Sequence, residues 1–164
     1  MEREQQVIWA AGFFDGEGCV LIYKAQDHRR PQDYHTLSLQ VGQTTIAPLL
    51  LFRELWGGTI SFSKAQQAKH ADHYCWRVTS RLAVQPLKEM LPYLLVKRAQ
   101  AELGLKFTQL LQVSHNRRRL SHEELQTREA ARQAMRELNA RGPRLPTAIR
   151  RQIKPKATQL RLVS

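Results

Sequence analysis

Cysteine is almost missing from this sequence. Only Cys19 and Cys75 occur, too few for a disulfide framework, so a reducing, intracellular setting of unspecified compartment is expected and a metal–thiolate centre is not. Acid is scarce too: 14 Asp and Glu stand against 26 Lys and Arg, a net charge of +12, which favours a polyanionic partner over an acidic small molecule. No apolar run approaches a membrane span and the N-terminus lacks a signal-peptide pattern, so no membrane partner is expected. Neither a phosphate-cradling glycine loop nor a serine-nucleophile motif appears, and His70, His73 and Cys75 lack the further ligands a zinc site needs. Nucleic acid is therefore the expected partner, with no small-molecule cofactor.

What is present suits one domain over 1–164, large enough at 164 residues to bury a core without staples. A core of about 5–112 precedes a basic helical extension of about 113–164. Residues 1–110 hold 13 basic and 10 acidic side chains, or +3, whereas 111–164 hold 13 and 4, or +9. The extension is either a phosphate-contacting arm or a solubilising tail.

The periodicities alternate between helix and strand. Val7, Ile8, Ala11 and Phe14 recur at helical spacing over 5–15, followed by a β-rich stretch at 18–25. A polar tip carrying Arg29 and Arg30 leads to a second strand, about 34–42, with Leu37, Leu39 and Val41 on one side and Thr36, Ser38 and Gln40 on the other. Thr44 and Thr45 are N-cap candidates for a helix of about 46–56, with Leu50, Phe52 and Leu55 as its core face and Gly57-Gly58 as its stop. A second hairpin spans 59–64 and 73–80, with Ile60, Phe62, Tyr74, Trp76 and Val78 inward and Ser61, Ser63, His73, Cys75 and Arg77 outward. Helical turns broken near Pro86 and Pro92 lead to a longer helix over 96–112. Ser121-His122-Glu123-Glu124 is a capping box for a helix to about 140 with an arginine-rich exposed face, and the tail beyond it is either a short docking helix with a phosphate-contact face, favoured near 146–153, or a disordered basic arm. The predicted class is α+β: a four-stranded antiparallel sheet in an αββαββα order, with C-terminal helices and one sheet face left open.

The stretch from Trp9 to Cys19 carries the chemistry. Ala10, Ala11 and Gly12 make a small helix face that another helix backbone could approach closely. Gly16 and Gly18 bracket Glu17 and predict a corner with either positive φ or a tightly approached backbone. An acidic side chain is thereby held at a helix end.

Ala10-Ala11-Gly12-Phe13-Phe14-Asp15-Gly16-Glu17-Gly18 resembles the signature of the LAGLIDADG homing endonucleases, in a degenerate form with Ala10 where leucine is usual. With the element order, the resemblance covers roughly residues 5–112. It implies a single-motif, homodimeric, Mg²⁺-dependent endonuclease for double-stranded DNA, with Mn²⁺ as substitute and Ca²⁺ supporting binding without cleavage. A long, pseudo-palindromic target would be cut across the minor groove to leave 3′ overhangs. Glu17 and the Gly16 carbonyl would bind the metal, Gln43 would position the hydrolytic water, and Lys97 would lie near the scissile phosphate. Ala10, Ala11 and Gly12 would form the dimer interface. Tyr23, Arg29, Arg30, Tyr34, Thr36, Ser38, Gln40, Ser61, Ser63, His73, Cys75 and Arg77 would contact DNA. Ala47 departs from the pattern, because many single-motif relatives carry an arginine there; Arg98 is the neighbouring cation that could replace it. The alternative within the same fold is a non-cleaving nucleic-acid-binding protein, an intron maturase or transcription regulator. A basic scaffold of unrelated fold is the third reading.

Overall fold

A computed structural model describes residues 1–25, 34–65, 71–112 and 119–140. Helix α1 (Arg3–Glu17) runs directly into strand β1 (Gly18–Ala25); β2 (Tyr34–Gln43), α2 (Ala47–Trp56), β3 (Thr59–Ser63) and β4 (His73–Thr79) follow. Helix α3 (Val84–Met90) lies between two 3-10 turns, Ser80–Ala83 and Leu91–Tyr93, and α4 (Arg98–Gln112) and α5 (His122–Asn139) close the described chain. The four strands form one antiparallel sheet in the order β1-β2-β4-β3. The expected class and element order are therefore observed. Arg29, Arg30, His70 and the expected 146–153 helix lie outside the described residues.

The helices pack together on one face of the sheet or against its edge. Val20, Ile22, Leu37, Leu39, Val41, Trp76 and Val78 supply that face, and Val7, Phe14, Phe52, Leu87, Met90, Leu94 and Phe107 cover it. Alternation along β1 and β2 explains why one side is continuous hydrocarbon. Phe52 and Trp76, 5.0 Å apart between ring centroids, join α2 to the sheet. The turn after α2 needs glycine twice: Gly57 and Gly58 have φ of 70° and 89°, and a Cβ on Gly58 would fall 2.5 Å from the Val78 side chain and 2.7 Å from the Arg77 carbonyl.

Several sequence expectations need correction at helix faces and caps. Ile8 and Leu50 are exposed, while Leu49, Phe52 and Trp56 form the buried side of α2. Phe62, expected inward, is 54% exposed near the end of the edge strand β3, and its ring lies tilted against Tyr74 with 5.2 Å between centroids. Neither Thr44 nor Thr45 caps α2; Ile46 occupies that position without a side-chain cap. The capping box of α5 does form, with the Glu124 N–H donating to Ser121 Oγ at 3.2 Å and the Ser121 N–H to Glu124 Oε2 at 2.7 Å.

Helix α5 docks on the core through Met135 and does not present an arginine-rich outer face. Arg128 is buried and donates to the Leu110 carbonyl at 3.0 Å, and Arg132 is paired with Glu129, which also meets the buried His35 on β2 at 2.8 Å. Asn139 donates to the Val20 carbonyl on β1, an edge strand. From 119 to 140 four Arg balance four Glu, so the +9 of the C-terminal third resides in 113–118 and 141–164. No helix among the described residues is long and apolar enough to cross a membrane.

Candidate active site and nucleic-acid interface

The corner where α1 becomes β1 is built around Phe14. Its ring is fully buried, and a Cβ on Gly18 would stand 2.3 to 2.6 Å from that ring. Of the two reasons for a glycine offered by the sequence, close approach is the operative one: Gly18 has φ −79° and ψ 166°, ordinary extended backbone. The helix can thus enter the strand without a loop, leaving Glu17 as the last helical residue with an exposed side chain. Gly16 is exposed too, with open space where a Cβ would project.

Two other segments converge on this corner. Gly18 pairs with Val41, so Gln43, two residues further along β2 and half-buried, flanks the end of α1. Lys97 arrives from the start of α4. The Asp15 carboxylate accepts the backbone N–H groups of Leu95 at 2.6 Å, Val96 at 3.0 Å and Lys97 at 2.9 Å, and the Lys97 ammonium donates to the Asp15 backbone carbonyl. Burial tends to raise the Asp15 pKa, but these three amides and the Lys97 charge together hold it below the usual carboxylate range. Burial pushes the Cys19 thiol up, and the Lys97 charge pulls it partly back, so Lys97 acts on both sides of Glu17. The geometry therefore gathers Glu17, Gly16, Gln43 and Lys97 at one end of α1. Arg98 is exposed and donates to the Pro92 carbonyl at 3.2 Å, while Ala47 is exposed at the first turn of α2.

Sequence reading missed the clasp made by Asp15. An aspartate in the last turn of its own helix opposes the helix dipole and cannot cap that helix; its partners lie 80 to 82 residues away, and no local spacing announces them. Glu89 is a second example. It accepts from Trp56 Nε1 at 2.9 Å and pairs with Arg3 at 2.9 Å, tying α3 to α2 and α1.

The small face of α1 is split between two environments. Ala10 and Ala11 are completely buried in this chain's own core, which overturns their expected place in a dimer interface. Gly12 lies on the opposite side, exposed and with nothing within 4 Å of a built Cβ. Exposed Ile8 and Trp9 precede it on the same side. The helix turn decides this, because residues 8, 12 and 16 share one face and 7, 10, 11 and 14 another.

The sheet face away from the helices carries the residues expected to contact DNA. In register across it run Tyr23 beside Thr36, Leu21 beside Ser38 and Thr79, Cys19 beside Gln40, Arg77 and Thr59, and Gly42 beside Cys75 and Ser61. Tyr23, Ser61, Ser63, His73 and Arg77 are exposed, while Tyr34, Gln40 and Cys75 are half-buried. Thr36 and Ser38 are corrections: both are buried at the centre of the sheet. Thr36 Oγ1 is 2.7 Å from Ser80 Oγ and Ser38 accepts from Gln40 Nε2 at 3.3 Å. Ser80 has φ 54°, a left-handed conformation unusual for a side-chain-bearing residue, and the Thr36 hydroxyl helps hold it. Thr36 lies between Tyr23 of β1 and Ser80, and Ser38 between Leu21 of β1 and Thr79 of β4, surroundings that alternation alone cannot reveal.

Neither a scan against protein-family models nor a search of curated proteins finds a match for this chain. Solved structures do match. The homing endonuclease I-CvuI in complex with its target is 22% identical, with 91% of this chain and 92% of that chain covered and a TM-score of 0.66. The homing endonuclease I-TnaI is 16% identical over 81% of this chain and 95% of that chain, with a TM-score of 0.59. The LAGLIDADG homing endonuclease I-SmaMI bound to cleaved DNA is 18% identical over 76% of this chain but only 42% of that chain, with a TM-score of 0.55. The chain has the fold of the LAGLIDADG homing endonucleases.

Proposed function

We propose that this protein is a homodimeric, divalent-metal-dependent, site-specific endonuclease for double-stranded DNA. The observation that carries the reading is the meeting, at the end of α1, of an exposed carboxylate, Glu17, with a lysine, Lys97, hydrogen-bonded two residues before it. Similarity in fold to I-CvuI in complex with its target and to I-SmaMI bound to cleaved DNA supports it.

The donors at this corner suit a hard cation. Glu17 offers a carboxylate and Gly16 a carbonyl at the C-terminal, negative end of a helix, chemistry that fits Mg²⁺, Mn²⁺ or Ca²⁺ and not a soft metal. When bound there, such a cation would supply charge stabilisation for phosphodiester hydrolysis. The chain's own residues do the rest: the Gln43 amide orients the attacking water, and the Lys97 ammonium adds positive charge beside the scissile phosphate. Among the described residues no three His, Cys, Asp or Glu cluster as a metal site, and Asp15 is committed to α4. The signature stretch of one chain thus offers one such carboxylate, Glu17, among the described residues. Two cuts need two copies, paired through the exposed Ile8, Trp9, Gly12 and Gly16 side of α1. The match of most of this chain to 42% of I-SmaMI leaves room in that longer chain for a second comparable unit.

On the open sheet face, Tyr23, Gln40, Ser61, Ser63, His73, Cys75 and Arg77 offer donors and acceptors to base edges along a major groove. A strand pair fits that groove. Across the minor groove between two such sheets, paired Glu17 side chains would cut a pseudo-palindromic site to leave 3′ overhangs. The test is cleavage of a DNA library by the purified protein with Mg²⁺, alongside Glu17→Gln. The variant should keep site binding in Ca²⁺ and lose cleavage; equal cleavage by both proteins removes Glu17 from the site, and binding without cleavage by the wild type makes the protein a non-cutting binder.

A further inference from the structure

We infer that Asp15 is a positioning residue for Lys97: its carboxylate clasps the backbone at the start of α4 so that the Lys97 ammonium is held against the end of α1, two residues from Glu17. The inference rests on the proposed endonuclease reading.

The hydrogen bonds are concentrated on one residue. Both carboxylate oxygens are used, Oδ2 by the Leu95 and Val96 amides and Oδ1 by the Lys97 amide. The backbone carbonyl of the same residue takes the Lys97 side chain. That carbonyl belongs to the last turn of α1, where intrahelical donors have run out. Lys97 is thus gripped at its amide and at its ammonium by one residue of α1. Leu95 is 86% exposed and Val96 72% exposed, so hydrophobic packing does not place this segment; the nearest buried anchors in the chain are Leu94 before it and Ala101 after it. Without the clasp, Lys97 would sit on an exposed span between those anchors, and a long side chain on such a span samples many rotamers.

A helix cap that only stabilises would lower the melting temperature and leave the chemistry alone. The clasp predicts something different. Asn at position 15 keeps the shape but has a single acceptor oxygen, so in either orientation its NH₂ faces at least one backbone N–H. Asp15→Asn should retain binding of the target in Ca²⁺ within about twofold while its single-turnover cleavage rate with Mg²⁺ falls by about 10- to 100-fold, the range expected when a reacting group is displaced by its support. Lys97→Ala should cost a similar factor in the wild-type background and less than about twofold more in the Asp15→Asn background, because the two changes remove one interaction. Multiplicative losses, or an Asp15→Asn rate equal to wild type, would overturn the inference. Amide hydrogen exchange at Leu95, Val96 and Lys97 gives a second reading independent of cleavage: protection in the wild type that is lost in Asp15→Asn supports the clasp, and unchanged exchange refutes it. Should Asp15→Asn fail to fold, the same measurements on Asp15→Ser, which can still cap one amide but not three, decide the question. A wild-type protein that cuts no DNA removes the endonuclease reading and any cleavage role for Asp15, while the exchange data still accept or reject the clasp.

Discussion

Gly12→Ala should push the fold and the assembly in opposite directions. Within one chain the change meets no obstacle, because a Cβ on Gly12 has nothing within 4 Å. Gly12 sits in the interior of α1, and replacing a mid-helix glycine by alanine stabilises by about 0.5–1 kcal/mol. For a domain of this size that is about 1–4 °C in melting temperature, measured at a protein concentration low enough to keep the chains apart. In the proposed dimer the same methyl group lies at the crossing of two α1 helices. Overpacking there costs about 1–3 kcal/mol, a weakening of the dissociation constant by about 5- to 150-fold. Sedimentation equilibrium reads the association, and thermal unfolding reads the chain. A raised melting temperature with unchanged dimerisation would refute the placement of Gly12 at the two-fold axis. Ala10 is the control, since it is wholly buried: Ala10→Leu should destabilise the single chain by about 1–3 kcal/mol whether or not it pairs.

Further outcomes follow from other parts of the fold. Gly18→Ala drives a methyl group into the Phe14 ring and should cost about 1–3 kcal/mol in urea unfolding, with Phe14→Leu in the same chain recovering part of the loss; strictly additive costs would show that the overlap is not the cause. Glu129 is held down to a pKa of about 2, first by hydrogen bonding from Arg132 and then by His35. A depressed carboxylate adds stability that is complete above its unfolded pKa and lost as pH falls through the folded one. The urea midpoint difference between wild type and Glu129→Gln should therefore be constant above about pH 5 and shrink towards about pH 2, and a difference independent of pH would discount the pairing. Removing 141–164 takes away seven basic residues and no acids while leaving the docked α5 in place. Binding to all DNA sequences should weaken, and the slope of log affinity against log salt should fall by about 0.9 for each phosphate that is no longer neutralised; an unchanged slope would make this segment a bystander.

The sequence by itself determined the order and type of the elements, because that information is periodic. Alternation in Leu37, Leu39 and Val41 and the helical recurrence of Val7, Ile8, Ala11 and Phe14 each state which backbone they need, although Ile8 is exposed and only the other three helix residues are buried. The signature from Ala10 to Gly18 likewise placed a carboxylate at a helix end. Tertiary structure decided what periodicity leaves open. Whether a small residue is small for the chain's own core or for a neighbour depends on which side the core occupies, and Ala10 and Ala11 proved to be core while Gly12 remained outside. Whether a polar strand residue is accessible depends on what the fold sets beside it: Thr36 against Tyr23 and Ser80, and Ser38 between Leu21 and Thr79, are buried, while Arg77 is exposed. The link between Asp15 and Lys97 joins residues 82 apart, a distance over which no local pattern carries information; only the packing of α4 against the end of α1 brings that carboxylate and that lysine together.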